Sequence, residues 1–273
     1  MLADSDIERW LREDVGHRDV TNDVPGTTEG RLVAKESGVV AGLDAATAVF
    51  EYLDCAVETP VESGAAIDAG DVVLRVDGPA QSVLRGERVA VNITGHASGV
   101  ATKTRTAVDA AGSAATDSTP RIAGTRKTTP GLRGIEKRAV AAGGGDTHRL
   151  DLSHMVMVKD NHIAEMGLLD AIDHFRERAS FATKLDVEVE APADAPRAAE
   201  AGADIVLLDN MPPAETERAV DRVAASTSDA LTEASGGITV EDVPAYAETG
   251  VDIISMGSLT HSAPTLDFSF RTG

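Results

Sequence analysis

The chain has one cysteine, Cys55, in 273 residues. A lone thiol excludes an intramolecular disulfide and a cysteine-built zinc site, and leaves Cys55 to act as a small buried hydrophobe. Aromatic residues make up only 3 % of the chain, so the core must be built from Val, Ile, Leu and Ala. No apolar run approaches the roughly 18 residues needed to span a bilayer. The opening MLADSDIERWLRED is acidic and amphipathic, a helix start rather than a signal peptide. A soluble, cytoplasmic protein without a membrane partner is the expectation. Lysine is scarce too: six of the 25 basic residues, against 45 Asp plus Glu. The formal charge of -20 argues against nucleic-acid binding, which needs a broad basic face. An acidic, lysine-poor surface suits a protein kept soluble in high salt; an ordinary acidic protein is the alternative. No GxGxxG follows a strand and no Walker A loop occurs, so the usual dinucleotide and P-loop readings lack support.

With 42 % apolar residues the chain is expected to be globular, as one large or two modest domains. The N-terminal part predicts a helix over 4–14, a strand over 31–40, a helix over 44–53 and a strand over 71–76. A long helix follows over 81–110. Val83, Gly86, Ala90, Ile93, Ala97 and Val100 fall at helical spacing on one face of it, several of them small. Gln81, Arg85, Arg88, Asn92 and His96 form a polar stripe, either a solvated face or one turned into a cleft or subunit interface. From residue 120 short apolar strands alternate with helices. Strands are predicted over 121–125, 155–159, 185–190, 204–209, 230–234 and 252–256, and helices over 135–142, 164–178, 193–201, 214–225 and 240–248. Near-continuous apolar strands in a βα alternation mean a parallel sheet covered by helices. The fold class is therefore α/β. Six such strands predict a barrel related to the TIM barrel, with an open doubly wound sheet as the alternative.

One stretch stands against the acidic background. Arg126–Lys159 holds seven Lys/Arg and three Asp/Glu. Concentrated positive charge repels itself unless an anion sits among it, so this island reads as a site for a multiply anionic small molecule. The strand ends agree. In order they deliver Arg126 with Lys127, then Lys159, Glu190, Asp209, Ser235-Gly236-Gly237 and Gly257-Ser258. In βα barrels this is the active-site face. Arg126, Lys127, His148, Arg149 and Lys159 can form a cationic ring for carboxylate or phosphate. Glu190 and Asp209 can hold Mg²⁺, orient ribose hydroxyls or stabilise a developing cation. The two glycine turns offer bare backbone N–H groups to a phosphate. Each feature also has a structural reading: surface charges, a satisfied histidine, capping acids, tight turns.

The motifs TRKTTPGLRGIEKRAVAAGGGDTHR, VKDNH, EVE, LLDN, SGG and GSLTHS, in order from about residue 85 to 262, resemble the quinolinate phosphoribosyltransferase family, and EDVGHRDVT resembles its opening segment. The resemblance implies an N-terminal α/β sandwich (1–110) packed on an open six-stranded α/β barrel (111–259), with the tail 260–273 returning to the sandwich. It implies a homodimer or larger assembly with shared sites. It also implies the reaction of quinolinate with phosphoribosyl pyrophosphate, with Mg²⁺, to nicotinate mononucleotide, pyrophosphate and CO₂. By the same resemblance Arg126, His148, Arg149 and Lys159 bind the quinolinate carboxylates, and Lys127 lies between quinolinate and the sugar. Glu190 and Asp209 lie near ribose and metal, and Ser235, Gly236, Gly237 and Gly257 take the phosphate. Arg88, in GERVAVN, matches an arginine supplied across the dimer interface, and His261 lies by the phosphate-loop end.

Overall fold

The protein is described by a computed structural model covering residues 2–115 and 118–273. Chain contacts divide it into two compact units. One comprises Met1–Arg105, Gly131–Gly144 and Ala263–Gly273; the other comprises Thr106–Pro130 and Gly145–Ser262.

In the first unit α1 (Asp4–Val15) buries Ile7 and Leu11, four apart on one face. The single strand expected over 31–40 is two: β1 (Thr27–Ala34) and β2 (Gly38–Val39). The polar residues between them turn the chain. Lys35 pairs with Asp267 at 2.5 Å and Ser37 donates to Asp68 at 2.9 Å, contacts that an unbroken strand could not make together. Next come α2 (Leu43–Tyr52), β3 (Ala56–Glu58), β4 (Ala66–Ile67) and β5 (Val72–Pro79). β12 (Phe268–Thr272) returns from the C-terminus to pair antiparallel with β1, giving the sheet order β12-β1-β5-β3. Leu32, Phe50, Leu74, Val76, Val83 and Phe268 form its core.

α3 (Ala80–Ala114) begins at the end of β5 and runs 35 residues, about 50 Å at 1.5 Å per residue. Val83, Ala90, Ile93, Ala97 and Val100 are buried, as the spacing predicts. Nothing larger fits at Gly86 on that face, nor at Gly99 on another side of the helix. A Cβ on Gly86 would stand 2.6 Å from the Phe50 ring, and one on Gly99 1.9 Å from the Pro264 carbonyl oxygen. The polar stripe is partly structural: Arg85 pairs with Asp19 at 2.8 Å, and His96 with the buried Glu136 of α4 (Arg133–Ala142) at 2.9 Å.

The second unit holds six parallel strands: β6 (Arg121–Gly124), β7 (Val156–Val158), β8 (Leu185–Val189), β9 (Ile205–Asp209), β10 (Leu231–Ser235) and β11 (Ile253–Met256). Their order is β6-β11-β10-β9-β8-β7. From β7 to β11 each strand neighbours the next, and β6 follows β11. A doubly wound sheet reverses its order at a switch point; this one does not, so the fold is an open α/β barrel with its gap between β6 and β7. The connecting helices are α5 (Asp160–Met166), α6 (Leu168–Arg176), α7 (Ala195–Glu200), α8 (Pro213–Ala224), α9 (Val243–Ala247) and α10 (Ser258–His261). The single helix expected over 164–178 is broken into α5 and α6 by Gly167, whose φ of +82° no helix accommodates. Among the described residues no helix is long and apolar enough to cross a membrane.

Candidate active site

A cavity of about 490 Å³ opens at the C-terminal ends of the barrel strands. Arg126, Lys127, His148, Arg149, Lys159, Asp209, Ser235, Gly236, Gly237 and Gly257, all singled out from the sequence, line it.

The cationic side is assembled from three segments. Arg126 and Lys127 follow β6. Arg126 has its Nε buried without a hydrogen bond, and the Lys127 stem packs over Gly257, where a Cβ would come within 2.8 Å of it. The Lys127 carbonyl accepts from Thr260 Oγ1 at 2.7 Å, which anchors the main chain whatever the side chain does. His148 sits at φ +50°, an uncommon conformation for a non-glycine residue, and its N–H donates to Asp146 Oδ1 at 2.7 Å. Its Nε2 lies 2.8 Å from Glu233 Oε2. Arg149 is buried, its Nε unpartnered and its Nη2 3.3 Å from Met157 Sδ. Burial pushes its guanidinium below the ordinary value and the Arg126 charge adds to this, while Asp186 and Glu233 oppose both. Lys159, just past β7, is ion-paired with Glu188. Guanidinium donors held in this way suit bidentate contacts with carboxylate or phosphate.

The opposite side is glycine and hydroxyl. Gly236 and Gly237 have φ of +104° and +65°. A Cβ on Gly236 would meet Asn210 Oδ1 at 2.3 Å, so this turn tolerates no side chain. Ser255 Oγ donates to Ser235 Oγ at 3.0 Å beside it.

The comparisons with known proteins agree across the whole chain. Residues 19–98 match the quinolinate phosphoribosyl transferase N-terminal domain, and residues 100–271 its C-terminal domain. The chain is 43 % identical over 272 residues to a probable nicotinate-nucleotide pyrophosphorylase [carboxylating] of Methanothermobacter thermautotrophicus, covering 97 % of each. It is 41 % identical to the human nicotinate-nucleotide pyrophosphorylase [carboxylating], with 97 % of this chain and 90 % of that one covered. The crystal structure of NadC from Streptococcus pyogenes superposes with a TM-score of 0.88 at 40 % identity, over 98 % of this chain and 95 % of that one. The chain belongs to the quinolinate phosphoribosyltransferase family.

Three residues singled out from the sequence are not gathered into this phosphoribosyltransferase-family cavity. Glu190 stands exposed one residue past β8 and lines a neighbouring cavity of about 600 Å³ with Asp160, Asp194 and Arg197. His261 is exposed in α10 and bonded to Ser262, although its ring lies near the Gly257 turn. Arg88 lies on α3 in the first unit, its side chain 58 % exposed and 3.7 Å from the Glu87 carboxylate. In place of Glu190 the barrel turns Glu188 into the cavity, next to Asp209. Burial holds the Asp209 carboxyl above its ordinary value, and the Glu188 charge adds to the shift.

Sequence reasoning also passed over Asp186 and Glu233, which lie beneath the cationic residues. Both are buried, and neither Asp186 oxygen is hydrogen-bonded. Burial holds the Asp186 carboxyl well above the usual carboxylate range, with Glu233 adding to it and Arg149 opposing. A signal for both was available. They are acids in the middle of barrel strands, flanked by buried residues, a placement carboxylates avoid unless paired.

Proposed function

We propose that this chain transfers the phosphoribosyl group of phosphoribosyl pyrophosphate to quinolinate, with loss of CO₂, giving nicotinate mononucleotide and pyrophosphate for NAD biosynthesis. The observation that carries the reading is one cavity with cationic side chains on one wall and side-chain-free turns on the other. Arg126, His148, Arg149 and Lys159 neutralise the two carboxylates and set the ring nitrogen toward the sugar. Holding two reactants in attacking geometry can supply several kcal/mol of the barrier. Ser235, Gly236, Gly237 and Gly257 accept the phosphate side, with His261 at their edge. Lys127 lies between the two substrates. As pyrophosphate leaves, the sugar carbon gains cationic character, which Asp209, with Glu188 beside it in the cavity, stabilises. Nitrogen attack then makes the ring a pyridinium, and that positive charge favours loss of the adjacent carboxylate.

Mg²⁺ fits this wall. It takes oxygen ligands beside phosphates, and a carboxyl held up by burial and a neighbouring acid, as Asp209 is, gains from a cation. Asp209 would hold it, where it would take up charge on the departing pyrophosphate; Glu190, exposed beside a neighbouring cavity, is not placed to share it. In this reading residues 111–259 carry the chemistry. Residues 1–110 with the tail 260–273 carry Arg88, which reaches the site of a second subunit in a homodimer, in the cytoplasm. The test is an assay of pyrophosphate and CO₂ release from quinolinate and phosphoribosyl pyrophosphate, with nicotinate as control. Release with nicotinate but not with quinolinate would overturn the choice of substrate.

A further inference from the structure

The proposed reaction ends with a hydrogen on the ring carbon that carried the lost carboxylate. When CO₂ leaves, the electron pair of the broken C–C bond stays on that carbon, and a proton must reach it. Binding and charge neutralisation do not provide one. The residues proposed to hold the carboxylates are Arg126, His148, Arg149 and Lys159. A guanidinium does not deprotonate in proteins, whereas an imidazolium does so readily. Lys159 is engaged by Glu188, and the Lys127 stem packs against the Gly257 turn.

His148 is also the residue whose ring is fixed from below. Its backbone is locked at φ +50° by the hydrogen bond to Asp146, and its Nε2 is 2.8 Å from Glu233 Oε2, with the two side chains 9 % and 1 % exposed. A carboxylate only accepts, so Nε2–H points at Glu233, and Nδ1, which makes no hydrogen bond among the described residues, is left for the cavity that His148 lines. Asp186 of β8 closes the floor. One carboxylate oxygen of Asp186, one of Glu233 and one ring nitrogen of His148 lie within 4.8 Å of one another. The charged groups around His148 are thus Asp146 and Arg149 on its own loop, Arg126 after β6, Asp186 on β8 and Glu233 on β10.

We propose that His148 donates, from Nδ1, the proton that caps the carbon vacated by CO₂, and that Glu233 is the positioning residue that aims it. The proposal rests on the transferase reading above. In the step, the C–C bond to the carboxylate breaks and its pair remains on the ring carbon. The Nδ1–H bond breaks, its proton goes to that carbon and its electrons stay on nitrogen. The imidazolium becomes imidazole and regains a proton from water once the product has gone.

The test follows single turnovers of the full-length protein with quinolinate and phosphoribosyl pyrophosphate, measuring pyrophosphate, CO₂ and nicotinate mononucleotide separately. His148→Gln is expected to bind quinolinate more weakly. At saturating quinolinate it should still release a burst of pyrophosphate, while nicotinate mononucleotide forms roughly 10²–10⁴-fold more slowly. A phosphoribosylated ring that still bears both carboxylates should accumulate. Glu233→Gln, of the same shape, should show a smaller loss in the same direction with its quinolinate affinity retained, and it carries the test if His148→Gln does not fold. Equal loss of pyrophosphate and product in these variants would make His148 a binder only and overturn the proposal. So would one equivalent of a transition metal that survives chelation of the parent protein and is absent from Asp186→Asn, because the cluster would then be a metal site. Wild-type protein that releases no pyrophosphate would fail the transferase reading instead, a distinct result.

Discussion

Lys127 and Asp186 show how differently two charged residues of one site can be tested. The Lys127 side chain is exposed, and its main chain is anchored independently through Thr260. Lys127→Ala should therefore fold normally. Its kcat is expected to fall by about 10²-fold or more, while quinolinate affinity, measured by calorimetry, changes little; near-parental turnover would remove Lys127 from the reaction. Asp186 acts through burial. In the unfolded chain its carboxyl ionises near the ordinary aspartate value of 3.8, and in the folded protein burial moves it well above that. Between those limits the folded state binds more protons, so this group's contribution to stability falls as pH rises. Asp186→Asn should gain thermal stability relative to the parent as pH increases from about 4 to 8. A difference that does not change with pH would show Asp186 ionised in the fold. At this scale the sequence was legible for every cation of the cavity and misleading for one acid. Glu188 and Glu190 share the parity that points side chains to one sheet face. What separates them is that β8 stops at Val189, leaving Glu190 exposed and Glu188 inside. Where a strand stops depends on its neighbours' lengths, which no local pattern carries.

Elements were legible in proportion to how locally they are determined. The six barrel strands were each placed to within about two residues, because strands buried on both faces read as short apolar runs between helices. β2 and β4, two residues each, are too short to show a period, and β1 owes its start at Thr27 to pairing with β5 and its end at Ala34 to pairing with β12, more than two hundred residues away. α3 is the intermediate case. Its stripe with several small residues was plain, but a second place where smallness is required lies off that stripe, where the Pro264 carbonyl touches the helix and Gly99 lacks a Cβ. Gly99→Ala forces backbone apart rather than a side-chain tip, so adjustment is expensive. Helix propensity favours alanine by up to about 1 kcal/mol, against about 1–3 kcal/mol for overpacking, so the clash should win. The expected outcome is a lower urea midpoint with an unchanged m-value. A rise in the midpoint would mean that the 264 segment moves aside freely.

At the scale of the whole molecule, the sequence carried the architecture further than it carried the assembly. Strand order in the barrel followed from an uninterrupted βα alternation, because parallel neighbours need crossovers and crossovers go to the adjacent strand. Nothing comparable fixes how many copies act together. Arg88 is the residue that makes this a chemical question. It is exposed on α3, and its nearest ionic neighbour, Glu87 of the same turn, is 3.7 Å away, a separation that contributes little at a surface. A structural role would therefore leave Arg88→Ala active. The proposed role in a second subunit's site predicts the reverse, and it predicts more than inactivity. Arg88→Ala and Arg126→Ala should each be nearly inactive alone. When the two are mixed and allowed to exchange subunits, a hybrid dimer contains one site that draws a native Arg126 from one chain and a native Arg88 from the other. For random exchange half of the dimers are hybrids, each with one intact site of two, so about a quarter of parental activity should return by simple counting. Recovery should follow the rate of subunit exchange, measured independently by mixing differently labelled chains. Full exchange without recovery would confine the site to a single chain and leave Arg88 a surface charge.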